Sequence, residues 1–428
     1  MTAGMAGDRP PARLTDAVVD GVEATVERVL DLLSFDTANP PGETARLADA
    51  VESQFESLGI ETERVVADPA KPNLLATMPG ESDRTLLYNG HFDTVPYDAA
   101  RWSHDPLGER VGDRIYGRGA TDMKGALAAM LGVATAYVET GTTPPVTLQF
   151  AFVSDEEVAG EPGIPTLLDS DRLDADWCVL GETTCDGDRH SVTVADKGSV
   201  WLTLAADGTA AHGSRPVLGE NAIDRLYEAV ERIRREFGTQ RLELDPEIEP
   251  LVAESVEYYA PIMGETVARE LFEYPTINLG TIEGGDSVNS VPASATARLD
   301  IRLTAGIQTR DVLRRIRDCA ADCDGIRIDD VSWSVGTHES LESPLVGAVT
   351  ESATAVTEDR IYRRSATGGG DAKKLRNAGI PTVEFGIGTD TVHAVDEYTT
   401  VDALQDNALV YATLPYHLDA EQPGGSRD

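Results

Sequence analysis

From about Thr15 the chain alternates helical patterns with short β-rich runs. This alternation constrains the fold more than any other feature, because it predicts an α/β domain on a largely parallel sheet. Helices are expected over 15–34, with Val18, Val22, Val26, Val29, Leu30 and Leu33 facing inward, and over 44–58. Strands rich in Leu, Val, Phe or Thr are expected over 72–78, 85–90, 146–153, 176–180 and 381–386. Between roughly 195 and 335 the rhythm repeats on a smaller scale: strand "GSVWLTLAADG", helix "NAIDRLYEAVERIRREF", strands "PTINLGTIEGG" and "ATARLDIRL", helix "TRDVLRRIRDCA", strand "GIRIDDVSWSV". That is the β-α-β-β-α-β order of a split βαβ sandwich. The expected organisation is therefore one domain from 1–194 and 336–428 with a small α+β domain, 195–335, inserted into it. Residues 241–273, acidic and without clear period, read as an insertion within the small domain, and the ends "MTAGMAGDRPP" and "AEQPGGSRD" read as frayed.

A chain of 428 residues exceeds what one hydrophobic core usually organises, and 41% hydrophobic content is ample for two. The opening residues lack the order of a secretory leader. The weakly polar segment "GALAAMLGVATAYV" at 125–138 is too short to span a bilayer and reads as a buried helix, so the expectation is a soluble, cytoplasmic protein. Cys178, Cys185, Cys319 and Cys323 make no disulfide framework in so long a chain, and Cys319 and Cys323 read as ordinary helix residues.

The net charge is −38, and only five of the 36 basic residues are Lys (71, 124, 197, 373, 374). Such a charge excludes nucleic acid and anionic membranes as partners. The acids are spread through periodic, hydrophobic-rich segments, which points to a solvated acidic surface adapted to high salt. The composition resembles that of proteins from halophilic archaea. Lowering KCl from molar to about 0.1 M lengthens the screening length from roughly 3 to 10 Å and restores acid–acid repulsion. The thermal midpoint is expected to drop, and a midpoint unchanged or higher at low salt would contradict the salt-adapted reading.

Four of the expected strands end in potential ligands. After 85–90 come His91 and Asp93; after 146–153, Asp155, Glu156 and Glu157; after 176–180, Glu182; after 381–386, His393. Sites in open parallel sheets lie beyond the carboxyl ends of the strands. A fifth candidate, Asp122, precedes the long helix in "GRGATDMKGALAAM", where glycines let backbone pass close to a site. Taken singly, each has a plainer explanation: a hydrogen-bonded loop His, two acids of a salt-adapted face, a helix cap. Together, two His and several carboxylates converging on one edge form a set suited to Zn²⁺ with N and O ligands.

In order and spacing, "GHFDTVP", "GRGATDMKGALAAM", "SDEEVAG", "GET" and "VHAVDE" resemble the co-catalytic dizinc family of acetylornithine deacetylases, succinyl-diaminopimelate desuccinylases, aminoacylases and glutamate-releasing carboxypeptidases. The resemblance implies two Zn²⁺ per subunit, replaceable by Co²⁺ or Mn²⁺: one on His91 and Glu182, the other on Glu157 and His393, with Asp122 bridging. It implies Asp93 as the partner that orients His91, and Glu156 as the base that takes a proton from the attacking water and returns it to the leaving amine.

The resemblance extends to the small domain, read as a ferredoxin-like lid that pairs with a second copy to form a homodimer. "AHGSRPVLGENAI" resembles the motif for a His, here His212, that supports the oxyanion from the lid. "NSVPASATARLDIR" makes Asn289 and Arg302 candidates for the substrate carboxylate; the plainer alternative for Arg302 is a strand residue paired with an acid. "SATGGGDAKKL" resembles a glycine-rich carboxylate-binding loop in which the amides of Gly368, Gly369 and Gly370 form an anion nest. Here Gly370 stands where a hydroxyl residue is common, and Lys373 stands in place of Arg. The implied function is hydrolysis of an N-acyl-amino acid or small peptide bearing a free carboxylate. The alternatives are a dipeptidase or carboxypeptidase on the same scaffold, or a non-catalytic binding protein, which would have no need of Glu156.

Overall fold

The computed structural model describes residues 9–185 and 189–420, so most of both expected frayed ends lies outside the described residues. The chain divides into two compact units: 1–194, 339–363 and 370–428 form the first, 195–338 and 364–369 the second.

The first unit is built on an eight-stranded sheet ordered Glu61–Val65, Asn73–Met78, Thr147–Val153, Thr85–His91, Trp177–Leu180, Thr382–Glu384, His190–Ala195, Ile361–Ser365. Its centre is parallel: Thr85–His91 pairs in parallel with Thr147–Val153 and with Trp177–Leu180, which pairs in parallel with Thr382–Glu384. The four strands expected to end in ligands are thus neighbours and point the same way. Being covered on both faces, they are nearly continuous apolar runs; Leu86, Leu87, Tyr88, Phe150, Phe152 and Val179 are all buried. Antiparallel strands flank this centre, with Asn73–Met78 pairing against Thr147–Val153.

The helix expected within 125–138 spans Lys124–Thr140, buries 12 of its 17 residues and ends at Gly141, whose left-handed backbone (φ 59°) closes the last turn. Gly90 lets this helix approach the sheet, since a Cβ there would lie 2.6 Å from both Leu127 Cδ2 and Met123 Cε. The single helix expected over 15–34 is two, Ala12–Asp20 and Val22–Leu33, separated at Gly21. The apolar period continues across the break, so the pattern alone did not reveal it. Among the described residues no helix is long and apolar enough to cross a membrane.

The second unit has a four-stranded antiparallel sheet ordered Thr276–Gly284, Ser294–Leu303, Gly198–Asp207, Ile326–Ser334. The helices Ala222–Ile233 and Thr309–Ala321 cover one face, burying Leu226, Val230, Leu313 and Ile316 against Leu202, Leu204, Leu299 and Ile301. Residues 241–273, read as an acidic insertion without period, carry two helices, Ile248–Met263 and Glu265–Glu273. Ile248, Val252 and Val256 recur every fourth residue and pack with Ala268 and Phe272 into a small separate core; intervening acids masked the repeat. Segment 364–369, expected in the first domain, clusters with the second unit. Arg364 Nη1 donates to the Tyr259 hydroxyl (2.9 Å), Ser365 N to Ser255 Oγ (2.9 Å) and Ala366 N to Ala195 O (2.7 Å). The first two bonds tie it to the helix Ile248–Met263 and the third to the end of the strand His190–Ala195.

Candidate metal centre

His91 closes its strand and is 1% exposed. Its Nδ1 lies 2.9 Å from the backbone oxygen of Asp93. A carbonyl only accepts, so Nδ1 carries a proton, which leaves Nε2 as the nitrogen a cation would take. Nε2 lies 3.3 Å from Asp122 Oδ1 and 3.3 Å from Glu182 Oε1. The other oxygen of Asp122, Oδ2, is 3.0 Å from His393 Nε2, which is 3.3 Å from Glu157 Oε2. One carboxylate therefore presents an oxygen to each of two His–Glu pairs.

The expected role of Asp93 is distributed differently. Its backbone oxygen holds His91, while its carboxylate stands 3.6 Å from Nδ1, beyond a hydrogen bond. That buried carboxylate instead accepts from Glu156 N (3.1 Å), Glu157 N (3.2 Å) and Asn39 Nδ2 (2.8 Å), tying the two strand ends together. Asn39 Nδ2 also donates to Asp155 Oδ1 (2.8 Å), which contacts Lys71 Nζ. Asp155, at φ 63°, makes the left-handed turn that delivers Glu156 and Glu157. Glu157 Oε1 accepts from Val95 N at 3.2 Å.

Asp122 sits in a turn whose amides at Gly119, Thr121 and Asp122 donate to Glu397 Oε1 at 3.1, 3.0 and 3.0 Å. Glu397, Arg118, Asn39 and Lys71 were not singled out from the sequence. The only available signal was that Glu397 falls four residues after His393 in "VHAVDE".

Burial pushes the Glu156 carboxyl up to about 8; the charge of His91 opposes this, while Asp371, Glu157 and Asp122 add to it. Burial and the Asp122 charge hold Glu182 well above the usual carboxylate range, against the pull of His91. Hydrogen bonds to Asp122 and Glu157 raise His393 to about 10. Burial opposes protonation of His91, yet Asp122 and Glu182 outweigh it and hold its pKa well above the ordinary value.

Crowded acids that strain toward protonation, with buried His91 Nε2 and Asp122 Oδ1 lacking hydrogen-bond partners among the described residues, are the donor set a cation satisfies. Ligand atoms of His91, Asp122 and Glu157 lie within 4.8 Å of one another, as do those of His91, Glu156 and Glu182, so the residues fit a metal. Glu156 is thus within ligand reach as well as beside it. A Cβ at Gly370 would lie 2.8 Å from Glu156 Oε1, so glycine there leaves this carboxylate room.

The remaining expected residues, all but Gly370, lie in the second unit. His212 is exposed, its Nδ1 2.8 Å from Ser214 Oγ, and Gly213 N donates to the backbone oxygen of Asn289 (2.7 Å). Both fork nitrogens of Arg302 engage Asp300 (2.8 and 3.1 Å), the plainer of its two readings. Gly368 and Gly369 belong to segment 364–369, while Gly370 begins the part that returns to the first unit. The three glycines therefore straddle the division between the units.

Residues 87–417 match the description of Peptidase family M20/M25/M40. The chain is 30% identical over 381 residues to a succinyl-diaminopimelate desuccinylase of Caulobacter sp. (strain K31), covering 86% of this chain and 89% of that protein. It is 28% identical to an acetylornithine deacetylase of Vibrio campbellii, covering 88% and 93%. The fold resembles that of an M20 family metallo-carboxypeptidase from Sulfolobus solfataricus, with TM-score 0.74, 22% identity and coverage of 92% and 99%. With three quarters of its length matched by the family and relatives at 28–30% identity over most of both chains, the chain belongs to peptidase family M20/M25/M40 and is a metal-dependent hydrolase of amide bonds.

Proposed function

We propose that the chain is a dizinc amidohydrolase that cleaves the amide of an N-acyl-amino acid bearing a free carboxylate, in the manner of a deacetylase or desuccinylase. The observation that carries this reading is Asp122, with one oxygen toward the His91–Glu182 pair and the other toward the His393–Glu157 pair. Each half would hold one cation. Zn²⁺ suits the mixed N and O donors, with Co²⁺ and Mn²⁺ as substitutes. Bound there, divalent cations supply Lewis acidity that polarises the scissile carbonyl and acidifies water.

The chain's own residues would then act as follows. Glu156, half-buried and basic for a carboxylate, accepts the proton of the attacking water on its carboxylate and returns it to the leaving nitrogen. Asp93 holds Glu156 and Glu157 through their amides. His212 supports the developing oxyanion. Asn289, Arg302 and the Gly368–Gly370 amides take the substrate carboxylate, with Arg302 exchanging Asp300 for it. The resemblance supports a homodimer through the second unit, to be checked by mass in solution, and the composition supports a cytoplasmic, salt-adapted protein.

The N-acyl reading is favoured over a dipeptidase by the names of the relatives at 28–30% identity, since the solved structures at 14–22% identity speak for the fold alone. A hydrolysis screen of N-acetyl, N-succinyl and dipeptide substrates, on chelated protein and on protein loaded with Zn²⁺, Co²⁺ or Mn²⁺, tests it. Turnover of N-acyl substrates restored only by metal is expected. Turnover of dipeptides alone establishes the peptidase alternative, and metal uptake without any turnover establishes a binding protein.

A further inference from the structure

The ligand set proposed above is anchored unequally. His91 closes a central strand, and Glu182 follows one by two residues, with Gly181 N still bonded to Asn89 O at 2.9 Å. His393 has no such support: residues 385–397 contain neither helix nor strand, and its side chain is 48% exposed at a left-handed φ of 61°. Sheet hydrogen bonds that place His91 and Glu182 therefore do not place His393.

What reaches it is a buried ion pair. Glu397, fully buried, gathers the amides of Gly119, Thr121 and Asp122 on Oε1 and pairs through Oε2 with Arg118 Nη1. Arg118, 5% exposed, extends Nη2 to the backbone oxygens of His393 (3.3 Å) and Ala394 (3.0 Å). The backbone closes the circuit, with Gly117 N donating to Glu397 O at 2.9 Å. A buried pair of charges is costly unless nearly every donor and acceptor is used. Here only Arg118 Nε lacks a partner among the described residues. The carboxylate holds the turn of Asp122, the guanidinium holds the loop of His393, and the side chains of those two residues meet at 3.0 Å.

We propose that Arg118 and Glu397 are positioning residues that set His393 against Asp122, so that they govern the affinity of the His393–Glu157 half and leave the His91–Glu182 half untouched. This inference rests on the two-cation reading. Arg118→Lys keeps a cation for Glu397 but cannot fork to two carbonyls. Glu397→Gln keeps an acceptor for the three amides and removes the charge that holds Arg118.

Zn²⁺ titration of chelated protein against a competing chelator, with His393→Ala as the reference for losing one half, is the measurement. Wild type is expected to take two equivalents. In Arg118→Lys and in Glu397→Gln the first should bind as in wild type and the second about 10- to 100-fold more weakly. Co²⁺ absorption spectra should lose the component that His393→Ala also loses, and kcat should recover at high metal, as a positioning role requires. Two equivalents bound as tightly as in wild type in both variants overturn the inference, and so does equal weakening of both equivalents, which is general loosening. Wild type binding fewer than two equivalents sinks the two-cation reading itself. If one variant fails to fold, the other decides.

Discussion

Glu156→Gln is expected to lower kcat by about 10²- to 10⁴-fold or more while the protein still takes two metal equivalents. The two adjacent acids differ in what surrounds them. Glu157 Oε2 stands 3.3 Å from His393 Nε2, and its other oxygen accepts from Val95 N, so the carboxylate is held edge-on to one half of the centre. Glu156 is anchored through its backbone, its amide on Asp93 and its carbonyl on Ala159 N (2.7 Å), and its carboxyl faces the space that Gly370 leaves open. Burial raises it to about 8, within the range of a base at neutral pH, and cations beside it would draw that value down. Glutamine keeps the shape and removes the proton acceptor. Glu157→Gln, by contrast, should lose one equivalent. Kinetics and metal counting on the same preparations separate the pair: near-normal activity in Glu156→Gln removes the base assignment. Loss of an equivalent there would instead make Glu156 a ligand, as its proximity to His91 and Glu182 allows.

Asp122→Ala should be more severe, abolishing tight binding of both equivalents and lowering kcat/KM to background. Among the described residues, Asp122 is the one whose two oxygens approach both His–Glu pairs. Cation catalysis is worth several kcal/mol of transition-state stabilisation, and at about 1.4 kcal/mol per decade that is on the order of 10³- to 10⁴-fold. The same variant should lose the rise in thermal midpoint that Zn²⁺ confers on wild type, because a ligand stabilises only the state that binds it. Glu182→Ala, removing a residue from one half, should keep one equivalent and part of that rise. If Asp122→Ala retained two equivalents, the shared-carboxylate geometry would not describe the centre.

Four of the proposed ligand positions, His91, Asp122, Glu157 and Glu182, were legible as candidates because each sits just after a strand or just before a helix, where local pattern determines location; His393, in the loop 385–397, had no such support. Apolar runs of strand length, ending in His91, in Glu156–Glu157 or before Glu182, become neighbouring parallel strands in a buried sheet, and that sheet's carboxyl edge is a fixed place. The alternation of helix and strand likewise determined the α/β class and the split-sandwich order of the second unit, since period is a property of a few consecutive residues. Partners were another matter. Glu397 meets Arg118 across 279 positions, Asn39 meets Asp155 across 116, and Lys71 meets Asp155 across 84. Nothing local in Arg118 or Lys71 distinguishes it from the other bases of the chain, and nothing local in Asn39 names its partner. Only the folded chain decided that Asp93 holds His91 by its backbone and Glu156 by its carboxylate, and that Arg302 pairs with Asp300. The same holds for the assignment of 364–369 to the second unit and for the division of Asp122's two oxygens between two His–Glu pairs. Hydrogen bonds and ion pairs are settled by distances of a few ångströms between atoms, and those distances exist only once remote segments have been packed together.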